Sequence, residues 1–159
     1  MSGIRNIAAI PFAQDIDVAN TVNTYAAGQQ IGGVLTLMAP APFLSGDNGP
    51  ILIVQTAILT DEDNQKSAVD VLLFRGVPTS SGDNTAYAPN AADMALLIGK
   101  ISFPAADWAT YGTMAAVVVR LVEAMRIANG KLYAIVVSQG APTFVSAGVL
   151  KLKVAGVVS

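Results

Sequence analysis

The feature that most restricts how this chain can fold is its punctuation. Glycine and proline recur at Gly32-Gly33, Pro40 to Pro50, Gly76 to Gly82, Pro104, Gly112, Asn129-Gly130, Gly140 to Pro142 and Gly148. Between these breaks lie short runs rich in Val, Ile, Leu and Thr, residues that suit a pleated, partly buried surface. The spacing predicts strands near residues 17–25, 31–38, 51–60, 67–75, 96–103, 114–126, 131–138 and 149–157. Short strands separated by regular turn signals point to an all-β, mainly antiparallel domain, a β-sandwich or jelly-roll-like fold, rather than alternating βα units. At 159 residues one domain is expected.

Two hairpins are expected. Asn129-Gly130 separates Val117–Ala128 from Leu132–Val137, and Asn-Gly favours the positive φ values of a type I′ turn. The polar stretch 60–66 is expected to join Ile51–Leu59 to Val69–Phe74. Lys151 and Lys153 alternate with Leu150, Leu152 and Val154, the pattern of a strand with one wet face. One or two short helices at most are expected. Ala91 to Ile98 follows Asn90, a suitable N-cap, and has Asp93 in its first turn. Met114 to Ala128 has helix-tolerant residues, but Val117-Val118-Val119 favours a strand. No heptad, fixed-period repeat or low-complexity linker is present.

Composition narrows the chemistry. Hydrophobic residues make up 53% and charged residues 13%, so the chain can bury enough surface to offset its ordering entropy. Nine basic against eleven acidic side chains leave no cationic footprint for nucleic acid. Histidine and cysteine are absent, which excludes His-based triads, thiol nucleophiles, imidazole or thiolate metal sites and disulfides. No membrane span is expected. Ile31 to Leu44 holds Pro40 and Pro42 and falls short of the roughly 20 residues needed, and Arg120, Glu123 and Arg126 break the run after Met114. A secretory leader is not expected either, since Pro11 interrupts the run Ile7–Ile10 and Gln14, Asp15 and Asp17 follow.

The polar constellations have structural readings. Asp61, Glu62, Asp63 and Asn64 form the one acidic cluster, but EF-hand spacing fails, and a solvated hairpin turn is expected. Asp15 and Asp17 share one face of an extended strand. Gly28 to Gly33 matches neither GxGxxG nor a Walker loop and reads as a turn or bulge entering a strand. Ser80 to Thr85 reads as a flexible polar loop, and Ser67 and Ser138 have no evident base near them. Trp108 beside Asp107 and Tyr111 is a candidate aromatic platform, with core or subunit contact as the alternative. No catalytic, cofactor or metal site is expected. An apolar, sparsely charged chain of this kind suits a protein that buries much of its exterior in an assembly.

Several sequence words, in order, resemble a family. Tyr25-Ala26-Ala27-Gly28-Gln29-Gln30-Ile31-Gly32-Gly33 is similar to the Tyr-x-x-Gly-(Asp)-x-(Val/Ile)-Gly-Gly opening of small virion structural proteins of tailed bacteriophages. Asp70-Val71-Leu72-Leu73-Phe74, then Pro78 and Asn84, resembles a later stretch of the same proteins. So do Ile98 to Ile101 and Leu132 to Thr143, and the likeness spans about residues 20–157. Gln29 departs from it, standing where the family has aspartate. The resemblance implies a capsid decoration, or cement, protein bound to the major capsid protein on the outside of a phage head assembled in the host cytoplasm. It also implies a dimer or trimer and a β-sandwich or jelly-roll module. Residues 1–20 then read as an N-terminal arm and 21–159 as a single β domain. Arg5, Ile7, Ile10, Pro11 and Phe12 in the arm, with Trp108 and Tyr111, are the expected capsid or subunit contacts. A head–tail or tail subunit is the alternative within the virion. A carbohydrate-binding module stacking sugars on Trp108, Tyr111 or Tyr87 is the alternative outside it. An enzyme is not expected.

Overall fold

The computed structural model describes residues 10–38, 51–126 and 130–158. Nine strands are formed: β1 (Ile10–Asp17), β2 (Gln30–Met38), β3 (Ile51–Asp61), β4 (Val69–Phe74), β5 (Leu97–Phe103), β6 (Ala109–Tyr111), β7 (Met114–Arg126), β8 (Lys131–Ser138) and β9 (Leu150–Val158). One helix, α1 (Ala91–Leu96), and a 3-10 turn over Ala105–Asp107 complete the elements among the described residues. The protein is all-β, as its punctuation predicts. Asn90 caps α1 in a full capping box, its side chain accepting from Asp93 N while the Asp93 carboxylate accepts from Asn90 N.

The strands lie in two antiparallel sheets, one in the order β1-β9-β3-β7-β6 and the other β2-β8-β4-β5. Pairings nest by chain order: β1 with β9, β2 with β8, β3 with β7, and β4 with β5. Such a nested ribbon, wrapped so that successive strands alternate between two sheets, is a jelly roll; β6 adds one short strand at an edge. Side chains from both inner faces make one core. Leu52, Val54, Ala57, Leu59, Leu150, Leu152 and Val154 come from one sheet, and Val69, Val71, Leu73, Leu132, Ala134 and Val136 from the other.

This topology corrects both expected hairpins. β3 and β4 belong to different sheets, and so do β7 and β8. The stretch 62–68 is therefore a bridge across the end of the sandwich, because the hydrophobic faces of β3 and β4 point at one another rather than lying side by side. Asn129 is outside the described residues; Gly130 has a φ of 65°. The strand expected near 17–25 is also corrected. The strand runs over Ile10–Asp17, which pair with β9, and 18–25 form a connection. Of the expected arm, residues 10–20 are described: 10–17 form an edge strand, with Phe12 and Ile16 packed against the core, and 18–20 begin the connection to β2. The wet face of β9 stands as expected, with Lys151 and Lys153 exposed between buried Leu150, Leu152 and Val154.

Two glycines are required by close approach. At the shift in register of β2, Gly32 has a φ of 69°, and a Cβ there would sit 1.7 Å from Val18 O. This is the bulge that the sequence predicts between Gly28 and Gly33. Gly156 lies beside the register shift of β3, and a Cβ there would meet Ile53 O at 1.9 Å. The neighbour is backbone and cannot turn aside. Gly156→Ala is therefore expected to cost about 1–3 kcal/mol, read as a lower urea midpoint at unchanged m-value.

Candidate functional site

The connections 18–29, 62–68 and 139–149 meet at one end of the sandwich and are fastened by side chains that bond to backbone. Asn20, 1% exposed, accepts from Val149 N (3.0 Å) and Leu150 N (3.1 Å) and donates to Ser146 O (3.1 Å). One Asp63 oxygen accepts from both Val145 N (2.8 Å) and Ser146 N (2.9 Å). Gln65 Oε1 accepts from Thr143 N (3.0 Å), and the backbone of Asn23 and Asn20 accepts from Phe144 N and Gly148 N. Tyr25 is fully buried, packs edge-on against Phe144 at 5.7 Å, and donates from N to Pro142 O. The 139–149 connection is therefore held along most of its length.

Its tip is apolar. Val145 is 71% exposed and Val22, across from it, 58%. With Asn23, Thr24, Thr143 and Phe144 they line an open groove of about 400 Å³, and none of the six is charged. Fixed loops that hold valines out in water present apolar area with its ordering cost already met by the fold. The tip is thus an uncharged, exposed surface on connections that side-chain bonds hold in place.

A second anchor holds the base of that end. Asp83 accepts from Tyr25 OH (2.7 Å), Gly32 N (2.6 Å) and the Thr21 hydroxyl. Burial, and then the facing Asp83, push the Tyr25 phenol up. Buried Gln30 donates to Gly32 O and Ser80 Oγ and accepts from Ser81 N. The stretch 80–85, expected to be a flexible loop, is thus tied to β2 and to Tyr25. Gln29, standing where the resembled pattern has aspartate, accepts from Ala26 N at 2.6 Å and closes the turn itself.

The acidic cluster is not a solvated hairpin turn. Asp61 is 1% exposed and accepts from Asp63 N, Gln65 N and Lys66 N, while Asp63 crosses to the neighbouring connection. Burial pushes the Asp61 carboxyl up against the pull of those three N–H groups. Among the described residues no group of three or more His, Cys, Asp or Glu is placed to hold a metal ion. Asp15 lies on the exposed face of β1 with Asp17 and pairs with Lys153 at 3.4 Å. Ser138 is buried and donates to Gly140 O.

The expected contact residues do not form one patch. Ile10, Pro11 and Phe12 are on β1 and Tyr111 is on β6, the two opposite edges of the five-stranded sheet. Tyr111 is 69% exposed. Trp108 is half-buried against the core, and its indole N–H donates to Ser67 O at 3.0 Å. Tyr87 packs against Phe74, Ile135 and Val137. Arg5 and Ile7 lie outside the described residues. The reading of the sequence did not find Val22 and Val145. Single valines on polar connections, one after Thr21 and one after Phe144, carry no signal until the fold brings the two tips together.

No family model matches the chain, and no curated protein matches it. Among solved structures it is similar to a chain of the Israeli acute paralysis virus full particle heated to 63 degrees. The identity is 10%, with 99% of this chain and 77% of that chain covered, at a TM-score of 0.28. At that score the likeness supports nothing about fold or function.

Two substitutions test the clamps. Asn20→Ala leaves two buried N–H groups without their acceptor and is expected to cost about 1–3 kcal/mol, measured by urea denaturation. Asp93 is held below the usual carboxylate range by Thr79 N and Asn90 N. A lowered carboxyl stabilises the fold above its unfolded pKa and loses that effect as pH falls through the folded value. The Tm difference between wild type and Asp93→Asn is therefore expected to be largest at neutral pH and to close below about pH 4.

Proposed function

We propose that the chain is a structural protein of a virus particle and, within that class, a decoration protein on the outside of a tailed-phage head. Its partner is the major capsid protein, whose neighbouring capsomers it braces, and its own copies associate as a dimer or trimer. The observation that carries this reading is the clamped, uncharged tip at Val22 and Val145, a surface built to bind rather than to react. The jelly roll is an architecture used by viral capsid and lectin domains, which supports the reading without assigning it. The ordered series of words from Tyr25 to Thr143 that resembles phage virion proteins supplies the choice between the two. A small apolar contact gains strength when it is repeated over a shell and linked through oligomers. The reading invokes no cofactor, reaction, nucleic acid or membrane.

A carbohydrate-binding reading fits less well. A sugar platform needs a free ring face, and Trp108 is packed against the core with its N–H bonded to Ser67 O.

The test is cosedimentation of the purified protein with phage heads stripped of their decoration. Saturable binding is expected, and Val22→Asp with Val145→Asp should weaken it at least tenfold, on the order of 1.4 kcal/mol, with the strand circular dichroism unchanged. The arm is tested by removing residues 1–9, which leaves β1 paired with β9; occupancy is expected to fall. Binding to isolated tails and not to heads would overturn the decoration reading in favour of a tail subunit.

A further inference from the structure

Each outer edge of the two sheets is blunted among the described residues. β1 carries Pro11, which has no N–H, and exposed Asp15 and Asp17. β6 is three residues long, the part of β7 beyond it carries exposed Arg120, and β5 carries exposed Lys100. β2 is covered at its start by the 84–87 stretch, through bonds from Gln30 N to Thr85 O and from Asn84 N to Gln30 O. At its end Met38 N donates to Gln14 Oε1. Short length, proline, charge and cover are the devices that keep sheet edges from pairing with other chains.

The tip has an edge with none of these devices. Tyr25 N donates to Pro142 O at 2.9 Å and Phe144 N to Asn23 O at 3.0 Å, so the two connections form a short antiparallel ribbon. These bonds make Thr24 and Thr143 a facing pair not joined by backbone bonds, and the N–H and C=O of each point outward from the ribbon. On one side Thr143 N is taken by Gln65 Oε1 at 3.0 Å. On the other, Thr24 N and O have no partner among the described residues, and residues 18–29 include neither proline nor a charged side chain. We infer that the Thr24 edge is a strand-addition site, taken by an extended, uncharged segment of the capsid protein whose backbone pairs with Thr24.

Three observations point to that occupant. An outward N–H and C=O on one residue are matched by a backbone running alongside, with specificity left to alternate side chains. Second, the ribbon offers those side chains an uncharged bed. Val22 and Val145 stand two residues along from the threonines, whose hydroxyls bond each other at 3.1 Å, and the period of two sets all four on one side. The nearby carboxylates of Asp63 and Asp83 are already taken by N–H and O–H donors, so an acidic segment is repelled and a basic one finds no bare acceptor. Third, two strands about 4.8 Å apart and four residues long at about 3.3 Å each give a face on the order of 130 Å². That is far below the ~800 Å² per partner of a stable dimer, so the edge does not hold a second copy in solution by itself. It suits a small contact multiplied over a lattice.

The inference rests on the decoration reading for the capsid protein as partner. The test is amide hydrogen exchange of the full chain, free and bound to stripped phage heads, with cosedimentation measured on the same samples. In the free protein the Thr24 amide should exchange near the rate of an unstructured peptide while the Tyr25 and Phe144 amides are protected. On heads, Thr24 exchange should slow at least about tenfold. Thr24→Pro removes the outward N–H and leaves the inner bonds of the ribbon, and should weaken cosedimentation about tenfold. Thr24→Val keeps the N–H and should bind as wild type does. Protection of Tyr25 and Phe144 in both variants checks the ribbon; where Thr24→Pro loses it, the wild-type exchange decides. Binding to heads with Thr24 still exchanging freely, or with Thr24→Val as damaging as Thr24→Pro, overturns the inference and leaves the decoration reading standing. A free chain that self-associates with Thr24 protected puts a second copy on the edge and also overturns it. Absence of binding to heads removes the decoration reading and the named occupant together.

Discussion

The rest of this structure depends on the bonding of backbone groups in connections that cross from one sheet to the other. A jelly roll sends most successive strands to opposite sheets, so its connections run over the ends of the core, where ladder partners end. Backbone N–H groups near a core need acceptors. Here a few short polar side chains supply them: Asn20 for Val149 and Leu150, Asp61 for Asp63, Gln65 and Lys66, and Asp63 for Val145 and Ser146; Asp83 does the same for Gly32 in β2, and Asp93 for Thr79 and Asn90 in the β4–β5 connection, which stays within one sheet. In a chain with only eleven acidic residues, four of them are used this way. More than a third of the acidic side chains thus serve the architecture.

That economy explains what could be read in advance. Strand positions were legible wherever Val, Ile and Leu runs met glycine or proline, as in β3, β4, β8 and β9, because both signals are local. The Asn90–Asp93 cap and the Gly28–Gly33 bulge were legible for the same reason. Pairing was not. Asn129-Gly130 and the 60–66 stretch have hairpin chemistry, but which strand β3 or β7 lies beside is decided by burial of their inner faces against a sheet distant in sequence. The acidic cluster reads as a solvated turn because a buried Asp61 and a water-facing one look alike until the neighbouring connection is in place. β1 was shifted because Pro11 at an edge position looks like a breaker, although an edge strand tolerates it.

The candidate site follows the same division. Trp108 and Tyr111 stood out by residue type, yet Trp108 anchors a loop and Tyr111 sits alone on a short edge strand. Val22 and Val145 acquire meaning from tertiary placement, since they are exposed on connections that are otherwise fastened. Exposed apolar side chains on loose loops would collapse or cost order on binding; on clamped loops they remain available.

The central claim is that the tip is held in its binding shape before any partner arrives. Native-state amide hydrogen exchange of the free protein tests it most directly. The account predicts that the Val145, Ser146, Val149 and Leu150 amides exchange with protection approaching that of the β3 and β9 core, since opening them requires breaking the Asn20 and Asp63 clamps. Exchange of these amides at the rate of an unstructured peptide, with the core still protected, would contradict it.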